Sequence, residues 1–204
     1  MKERVIAYVD GFNLYFGMKE SSWNQCLWLD VQKLTNNLLK PPQILVETNY
    51  FTSRISSNPP KQARQNTYLE ALETLPNLKI FYGKYNSQSR TCQKCGDTYF
   101  HSSEKMTDVN IACRLLADAF QDRYDTAFLI TGDSDLVPPI QLIHSLFPKK
   151  RVLVGFPPKR HNLSVSCVAK GSLMIGRKKL LDSQFPNQLS KKDGYILNRP
   201  PTWV

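Results

Sequence analysis

The sequence lacks any long apolar run. No stretch approaches the roughly 20 uninterrupted apolar residues that a membrane-spanning helix requires. The first apolar run, Val5 to Val9, is too short for the hydrophobic part of a secretory signal. The five cysteines are an odd number and are scattered along the 204 residues, which is not the pattern of a disulfide framework. These absences predict a cytoplasmic protein without a membrane partner.

Acidic residues are scarce in the last quarter of the chain. The sequence has 27 lysines and arginines and 17 acidic residues, and the whole excess lies after residue 148, where 12 basic residues accompany 2 acidic ones. Basic surfaces of this kind bind the phosphates of nucleic acids. The alternative is a basic segment that is merely solvated. The residues expected to bind nucleic acid are Lys159, Arg160, Arg177, Lys178 and Lys179.

Strand-like and helix-like segments alternate along the chain. This alternation predicts an α/β fold built around a parallel sheet. With 41% apolar residues, the chain can form one good core and is short for two. The predicted strands lie at 5–9, 44–51, 78–82, 127–130 and 151–156, and the clearest predicted helices at 14–20, 29–39, 61–75 and 103–120.

Two predicted strands end in acidic residues. The buried strand at 127–130 is followed by Asp133 and Asp135, and the first strand is followed by Asp10. Parallel strands present ligand-binding groups at their carboxyl ends, and carboxylates brought together there ionise together only if a cation neutralises them. Oxygen ligands favour Mg²⁺ or Mn²⁺. The alternative is an Asp-Gly-Ser turn with solvated side chains.

A further acid, Asp108, stands near the start of the predicted helix at 103–120. The helix dipole stabilises a carboxylate in the first turn, so capping alone would explain an acid there. The apolar residues of this helix predict a buried face that includes Val109, Cys113, Leu116 and Phe120.

The segment between the third strand and this helix contains Cys92-x-x-Cys95-Gly and, six residues after the second cysteine, His101. Two thiolates at this spacing before a glycine are typical of half of a zinc site. We therefore expect Cys92, Cys95 and His101 to bind a structural Zn²⁺. The alternatives are two ordinary surface thiols and, less favoured, a redox pair.

Three motifs carry a resemblance to a known family. In chain order they are Asp10-Gly11-x-Asn13, Glu104-Lys105-x-x-Asp108-Val109 and Thr131-Gly132-Asp133-Ser134-Asp135. Together they closely resemble the NYN domain family of PIN-like nucleases, in particular its bacterial LabA-like branch. The resemblance implies a Rossmann-like three-layer α/β/α sandwich with a central, mainly parallel sheet. It also implies an NYN domain over residues 1–180, with a Cys-x-x-Cys insertion near 88–102, and a C-terminal extension over 181–204.

The resemblance further implies a metal-dependent ribonuclease. It makes Asp10, Asp108, Asp133 and Asp135 the expected ligands of Mg²⁺ or Mn²⁺, and Asn13 a polar neighbour in the catalytic site. The ion would activate water and neutralise charge on the scissile phosphate. The expected partners are RNA, single-stranded or structured, and further copies of the chain in a homo-oligomer.

Other classes of function remain open at this point. One is an inactive RNA-binding or regulatory protein with the same fold. A phosphatase of the haloacid-dehalogenase type is disfavoured, because Phe12 stands where an Asp-x-Asp pair would need its second aspartate. A dinucleotide-binding protein is disfavoured as well, because no Gly-x-Gly-x-x-Gly follows the first strand.

Overall fold

Strands and helices alternate through most of the chain. The computed structural model describes residues 2–56, 58–91, 93 and 95–203. Its strands are β1 (Glu3–Asp10), β2 (Gln43–Thr52), β3 (Leu78–Tyr82), β4 (Lys84–Thr91), β5 (Thr98–Lys105), β6 (Thr126–Ile130), β7 (Arg151–Phe156), β8 (Gly171–Met174), β9 (Gln188–Ser190) and β10 (Ile196–Asn198). Its α-helices are α1 (Gly11–Glu20), α2 (Val31–Leu38), α3 (Pro59–Glu73), α4 (Thr107–Phe120), α5 (Val137–Leu146), α6 (Leu163–Val168) and α7 (Arg177–Leu181).

Six strands form the central sheet, in the order β3-β2-β1-β6-β7-β8. Every neighbouring pair in this sheet is parallel. All carboxyl ends of these strands therefore lie along one side of the sheet, which we call the carboxyl edge, and their starts lie along the amino edge. The predicted fold class, an α/β three-layer sandwich with a central parallel sheet, is confirmed.

Helices cover both faces of the sheet. On one face, α1, α2, α3 and α7 bury a core that includes Leu14, Leu34, Leu72 and Leu180. On the other face, α4, α5 and α6 bury a second core. Because β6 lies between the two cores, all five of its residues are buried, as expected for a parallel strand that is covered on both sides. Within the described residues, no helix is long and apolar enough to cross a membrane.

Local capping explains where several helices begin. The side chains of Asp10, Asp30 and Asn58 each accept a hydrogen bond from the backbone N–H three residues later, at 3.0, 2.9 and 3.0 Å. Such N-caps stabilise a helix by about 1 kcal/mol each. The helix α2, for example, begins directly after its cap, Asp30.

The predicted buried face of α4 is wrong in part. Val109 and Phe120 are 62% and 66% exposed, and Cys113 is exposed as well. The buried face contains Ala119, as the apolar pattern predicts, but otherwise Ile111, Leu115 and Asp118. The helix is rotated relative to the apolar pattern because the carboxylate of Asp118 is buried in a hydrogen-bonded network.

The predicted insertion forms a β-hairpin that is longer than expected. The strands β4 and β5 pair antiparallel from Lys84–Lys105 to Thr91–Thr98, as a two-stranded sheet of their own. The hairpin therefore spans 84–105 rather than 88–102. After β5, Met106 has a positive φ of 74°, and α4 begins at the next residue.

The last 24 residues, expected as an extension, pack on the core formed by α1, α2 and α3. Phe185, Leu197 and Trp203 are at most 6% exposed. The indole Nε1 of Trp28 donates a hydrogen bond to the carbonyl oxygen of Pro186 at 2.8 Å, and the rings of Trp28 and Trp203 are 6.4 Å apart. This segment therefore completes one face of the sandwich.

Candidate active site

Two neighbouring strands bring the first and third motifs together. The strands β1 and β6 are adjacent and parallel, with Val9 opposite Ile130. Asp10 is the last residue of β1, and Thr131 follows β6 directly. A 3₁₀ turn, Ser134–Leu136, then carries Asp135. Both motifs consequently lie at the carboxyl edge.

Thr131 links the two strand ends by hydrogen bonds. Its hydroxyl donates to Oδ2 of Asp10 at 3.1 Å and accepts from the backbone N–H of Asp133 at 3.1 Å. Oδ1 of Asp10 accepts from the N–H of Asn13, and Oδ1 of Asp133 accepts from the N–H of Asp135 at 2.9 Å. Both carboxylates are therefore held in fixed orientations.

Asn13 joins α1 to the turn after β6. Its Oδ1 accepts a hydrogen bond from the backbone N–H of Gly132 at 3.0 Å. Gly132 cannot carry a side chain here, because a Cβ would overlap the carbonyl oxygen of Arg160. The predicted polar neighbour of the site thus fixes the turn that carries Asp133.

The second motif reaches the carboxyl edge from the start of α4. A Cβ on Gly83, the residue after β3, would meet Oγ1 of Thr107 at 2.5 Å and the carbonyl oxygen of Lys105 at 2.6 Å. The absence of a side chain at Gly83 therefore lets α4 begin against the ends of β2 and β3. Asp108 is the second residue of this helix and lies in its first turn.

The electrostatics of Asp108 show that the acids lie close together. Burial raises the pKa of its carboxyl group, and the negative charges of Asp133 and Asp135 raise it further. Among the described residues, no ion pair within 4.0 Å involves Asp108, Asp133 or Asp135. A cation bound from solution would relieve this repulsion.

The donor chemistry of these four residues, Asp10, Asp108, Asp133 and Asp135, fits a hard divalent cation. We call them the edge aspartates. All their donor atoms are carboxylate oxygens, which Mg²⁺ and Mn²⁺ prefer. Within the part of the chain that the structure describes, however, no three histidine, cysteine or acidic side chains converge closely enough to hold an ion as they stand. Ion binding would therefore require rotation of the side chains.

Comparison with known proteins assigns the family. The model of the NYN domain matches residues 4–170, which is most of the chain. The chain belongs to the NYN domain family. NYN domains are part of the PIN-like nuclease superfamily, so the resemblance of the three motifs is confirmed.

Two individual proteins are similar to this NYN protein. One is 6-hydroxy-3-succinoylpyridine 3-monooxygenase HspA from Pseudomonas putida, which is 25% identical over 199 residues, covering 80% of this chain and 62% of that protein. The chain thus spans less than two thirds of its length. The other is a Vibrio parahaemolyticus protein of unknown function, whose crystal structure matches with a TM-score of 0.57 and 20% identity, covering 90% of this chain and 97% of that one. This second likeness concerns the fold alone.

The basic residues expected to bind nucleic acid contact the protein itself. Nζ of Lys159 donates to the carbonyl oxygen of Glu20 at 2.7 Å, and Arg160 forms an ion pair with the carboxylate of Glu20. These contacts hold the loop after β7 against the end of α1. They therefore stabilise the surroundings of the site. The binding of nucleic acid by Lys159 and Arg160 stays a prediction.

Two of the basic residues of α7, Lys178 and Lys179, also have partners within the NYN protein. Nζ of Lys178 lies 2.9 Å from Oδ2 of Asp182, and Nζ of Lys179 donates to the carbonyl oxygen of Asn37 at 2.6 Å. Asn37 lies in the last turn of α2, where a cation interacts favourably with the helix dipole. The structure thus gives Lys179 a capping contact that the sequence did not predict.

The predicted zinc site falls largely outside the described residues. Cys92 and the side chain of His101 are not among them. Cys95 is exposed, in the turn between β4 and β5. The structural zinc therefore stays a prediction.

Sequence reasoning missed the role of Thr131, although it lies within the third motif. The available signal is a hydroxyl residue between a buried strand and an Asp-rich turn, because its side chain can form hydrogen bonds with the segments on both sides.

Arg54 is a further cation close to the carboxyl edge. Its guanidinium lies 4.7 Å above the ring of Tyr82 and donates to the phenolic oxygen at 3.1 Å, near the carboxyl ends of β2 and β3.

Proposed function

We propose that this NYN protein is a metal-dependent endoribonuclease whose edge aspartates hold Mg²⁺ or Mn²⁺. The observation that carries the proposal is the arrangement at the carboxyl edge. Asp10 and Asp133 are joined through Thr131, while Asp108 approaches from α4 and makes no ion pair among the described residues. Family membership supports a nuclease-type fold.

The chain's own residues would perform distinct tasks. The edge aspartates, Asp10, Asp108, Asp133 and Asp135, would hold the ion. Thr131 would orient Asp10 and Asp133, and Asn13 would hold the turn after β6 in place. When bound, the ion supplies a water of lowered pKa and neutralises charge on the scissile phosphate. Nothing in this scheme requires a covalent bond between enzyme and substrate.

The proposal is tested with purified protein and a matched pair of RNA and DNA oligonucleotides. Each is incubated with Mg²⁺, with Mn²⁺ and with EDTA, and products are separated by size. We expect internal cleavage of RNA with either ion and none in EDTA. RNA that remains intact with both ions would overturn the nuclease function.

A second candidate is a regulatory protein that binds RNA without cutting it. One observation favours it, namely that no three acidic side chains among the described residues converge on one point. Binding of intact RNA with Mg²⁺ or Mn²⁺ present, without products, would support this alternative. The cleavage assay therefore decides between the two functions.

RNA binding by the basic last quarter has its own test. We expect charge reversal at Arg177, Lys178 and Lys179 to weaken RNA binding several-fold and to flatten its salt dependence, because fewer phosphate charges would be neutralised. Affinity is measured at several salt concentrations in EDTA. An unchanged affinity and salt slope in a folded triple variant would show that these residues are only solvated or structural.

A further inference from the structure

A pocket opens beside the edge aspartates, between α1 and α3. It contains about 950 Å³ of space, including its open mouth. Gly11, which follows Asp10 directly, and Thr52, at the end of β2, are among the residues that line it. Ligand sites commonly lie near the carboxyl ends of the strands in parallel α/β sheets. The pocket therefore adjoins the place where we put the scissile phosphate.

One wall of the pocket is a face of α1. Its residues Phe12, Tyr15, Phe16 and Lys19 follow helical spacing and all line the pocket. The ring centroids of Tyr15 and Phe16 are 5.3 Å apart, and those of Phe12 and Phe16 are 5.9 Å apart. Phe16 is 40% exposed, although it is a large apolar residue. This wall is a continuous aromatic surface that is partly open to solvent.

The opposite wall is a face of α3. Lys61, Arg64, Gln65 and Tyr68 repeat the same helical spacing and also line the pocket. Tyr68 lies at its base, only 9% exposed and 5.9 Å from the ring of Trp203. The base is therefore apolar and rigid, while the rim of this wall is basic.

The charges around the pocket all have one sign. Three lining residues are cationic, namely Lys19, Lys61 and Arg64, and none of the described lining residues is acidic. No ion pair of the described residues involves any of these three cations. By contrast, Arg160 and Lys178 form ion pairs with Glu20 and Asp182. The ammonium group of Lys19 lies 5.8 Å from the ring centroid of Tyr15, within the aromatic wall itself.

We propose that this pocket binds one unstacked nucleobase of the RNA strand, together with the phosphate next to it. Aromatic side chains stack on any base, because every base has a π-face. Cations at the rim complement the phosphate charge. A purely apolar ligand would not interact with the positive charges of Lys19, Lys61 and Arg64. The inference rests on the proposed function, since it places an RNA strand across the edge aspartates.

The test uses a set of short single-stranded RNAs, each with one abasic position, and measures their affinity in EDTA so that no cleavage occurs. For the wild-type protein, we expect one position at which loss of the base weakens binding about tenfold. In Phe16→Ala, we expect this penalty to disappear. Phe120→Ala is the matched control, because Phe120 is an exposed aromatic residue at the other end of α4 from Asp108.

The rim cations are tested independently of α1. We expect Lys61→Ala and Arg64→Ala each to reduce the slope of log affinity against log salt by about one. The matched control is Lys2→Ala, an exposed lysine directly before β1 at the amino edge of the sheet. This arm keeps the proposal falsifiable if Phe16→Ala does not fold.

The outcomes separate the pocket from the nuclease function. The pocket proposal is overturned if no abasic position weakens RNA binding. It is also overturned if the loss of affinity at the abasic position persists in Phe16→Ala while Lys61→Ala and Arg64→Ala bind like wild type. If the penalty depends on Phe16 but RNA stays intact with Mg²⁺ and Mn²⁺, the pocket stands and the endonuclease proposal falls. If wild-type protein binds no RNA in EDTA, the pocket proposal is overturned, and the cleavage assay with Mg²⁺ and Mn²⁺ alone decides the endonuclease proposal.

Discussion

The molecule contains two groups of four acidic side chains that differ in what surrounds them. The edge aspartates lie at the carboxyl edge, and no ion pair of the described residues involves three of them, Asp108, Asp133 and Asp135. The second group, which we call the paired acids, lies around α4 and the amino edge. It consists of Glu47, Asp118, Asp122 and Asp125, and its cations are Arg4, Lys79, Arg114, Arg123 and Lys150.

Asp108 differs from Asp122 and Asp125 in the direction of its pKa shift. The pKa of Asp108 is raised by burial and by its acidic neighbours. The pKa of Asp122 is lowered by hydrogen bonds from Lys150 and Arg4, and that of Asp125 by a hydrogen bond from Arg4. The fold therefore neutralises carboxylates with its own cations where they serve stability. At the carboxyl edge, no cation of the described residues forms an ion pair with Asp108, Asp133 or Asp135.

The largest expected effect is the loss of cleavage in Asp133→Asn. Asparagine keeps an oxygen that can accept from the N–H of Asp135, so the turn should survive. The lost negative charge removes an ion ligand and should lower the cleavage rate by several orders of magnitude, with RNA binding largely intact. Rates are measured with Mg²⁺ and with Mn²⁺.

The matched control for Asp133→Asn is Asp122→Asn, which removes one charge from the paired acids. We expect this variant to cleave RNA at the wild-type rate. A wild-type rate for Asp133→Asn would show that the edge aspartates do not carry the reaction.

The second effect is the loss of stability in Asp118→Ala. The fully buried carboxylate of Asp118 accepts from the hydroxyl of Tyr8 at 2.8 Å, from Arg114 at 3.0 Å and from Arg123 at 2.7 Å. Removing it leaves the buried hydroxyl of Tyr8 without its acceptor. It also takes one of two carboxylate partners from Arg114 and from Arg123, which keep Glu47. We expect a loss of about 3 kcal/mol in the free energy of unfolding.

Urea denaturation measures this loss, and Asp122→Ala is the control. The side chain of Asp122 is 73% exposed in its ion pair with Arg4, so its removal should cost much less. Equal losses in the two variants would mean that burial does not distinguish these acids.

The third effect is the acid sensitivity of Glu47. Burial raises the pKa of its carboxyl group, but hydrogen bonds from Lys79 and Arg123 outweigh burial and hold it below its ordinary value of 4.5. A lowered folded-state pKa stabilises the protein above the unfolded pKa, and this contribution disappears as the pH falls through the folded pKa. We therefore expect Glu47→Gln to be less stable at neutral pH and to lose less stability on acidification.

Urea unfolding from about pH 7 down to about pH 3 measures this difference. The control is Glu73→Gln, an exposed residue of α3 that makes no ion pair among the described residues. If wild type and Glu47→Gln lose stability in parallel, the ion pairs of Glu47 do not contribute to the pH dependence.

The smallest effect has the opposite sign and concerns Asp108→Asn. Because the pKa of Asp108 is raised despite its favourable place in the first turn of α4, its charge costs folding free energy at neutral pH. Without metal, we expect the variant to be more stable than wild type by about 0.5 kcal/mol. Thermal unfolding in EDTA measures the gain.

The matched control for Asp108→Asn is Asp182→Asn, which loses an exposed ion pair with Lys178 and should gain no stability. Adding Mg²⁺ or Mn²⁺ should stabilise wild type more than Asp108→Asn. If Asp108→Asn is less stable than wild type in EDTA, repulsion at the carboxyl edge is not a cost of this fold.

Most of the fold could be predicted from the sequence, because the determining signals are local. The run at 127–130 has no polar residue, and the observed strand β6 is buried throughout. Asp10 ends β1 and Asp133 lies three residues after β6, so their arrival at one edge follows from the parallel sheet. The contact that joins them, through Thr131, required the register of β1 against β6.

The surface chemistry was less accessible, because it depends on contacts between distant residues. The basic excess after residue 148 predicted a nucleic-acid surface, yet Lys159 and Lys179 bond to carbonyl oxygens of Glu20 and Asn37, more than 130 residues away. The charge composition gives the number of cations, but it does not show which of them already form hydrogen bonds or ion pairs within the protein.

The sequence by itself determined five of the strands in the central sheet and the three acidic motifs, since each depends on neighbours a few residues apart. Only the tertiary structure decided which face of α4 is buried, because Asp118 is drawn inward by Tyr8 and Arg123. It also decided that α1 and α3 face each other across a pocket with aromatic and basic walls. Both outcomes depend on packing across the sheet or between helices, which local periodicity does not encode.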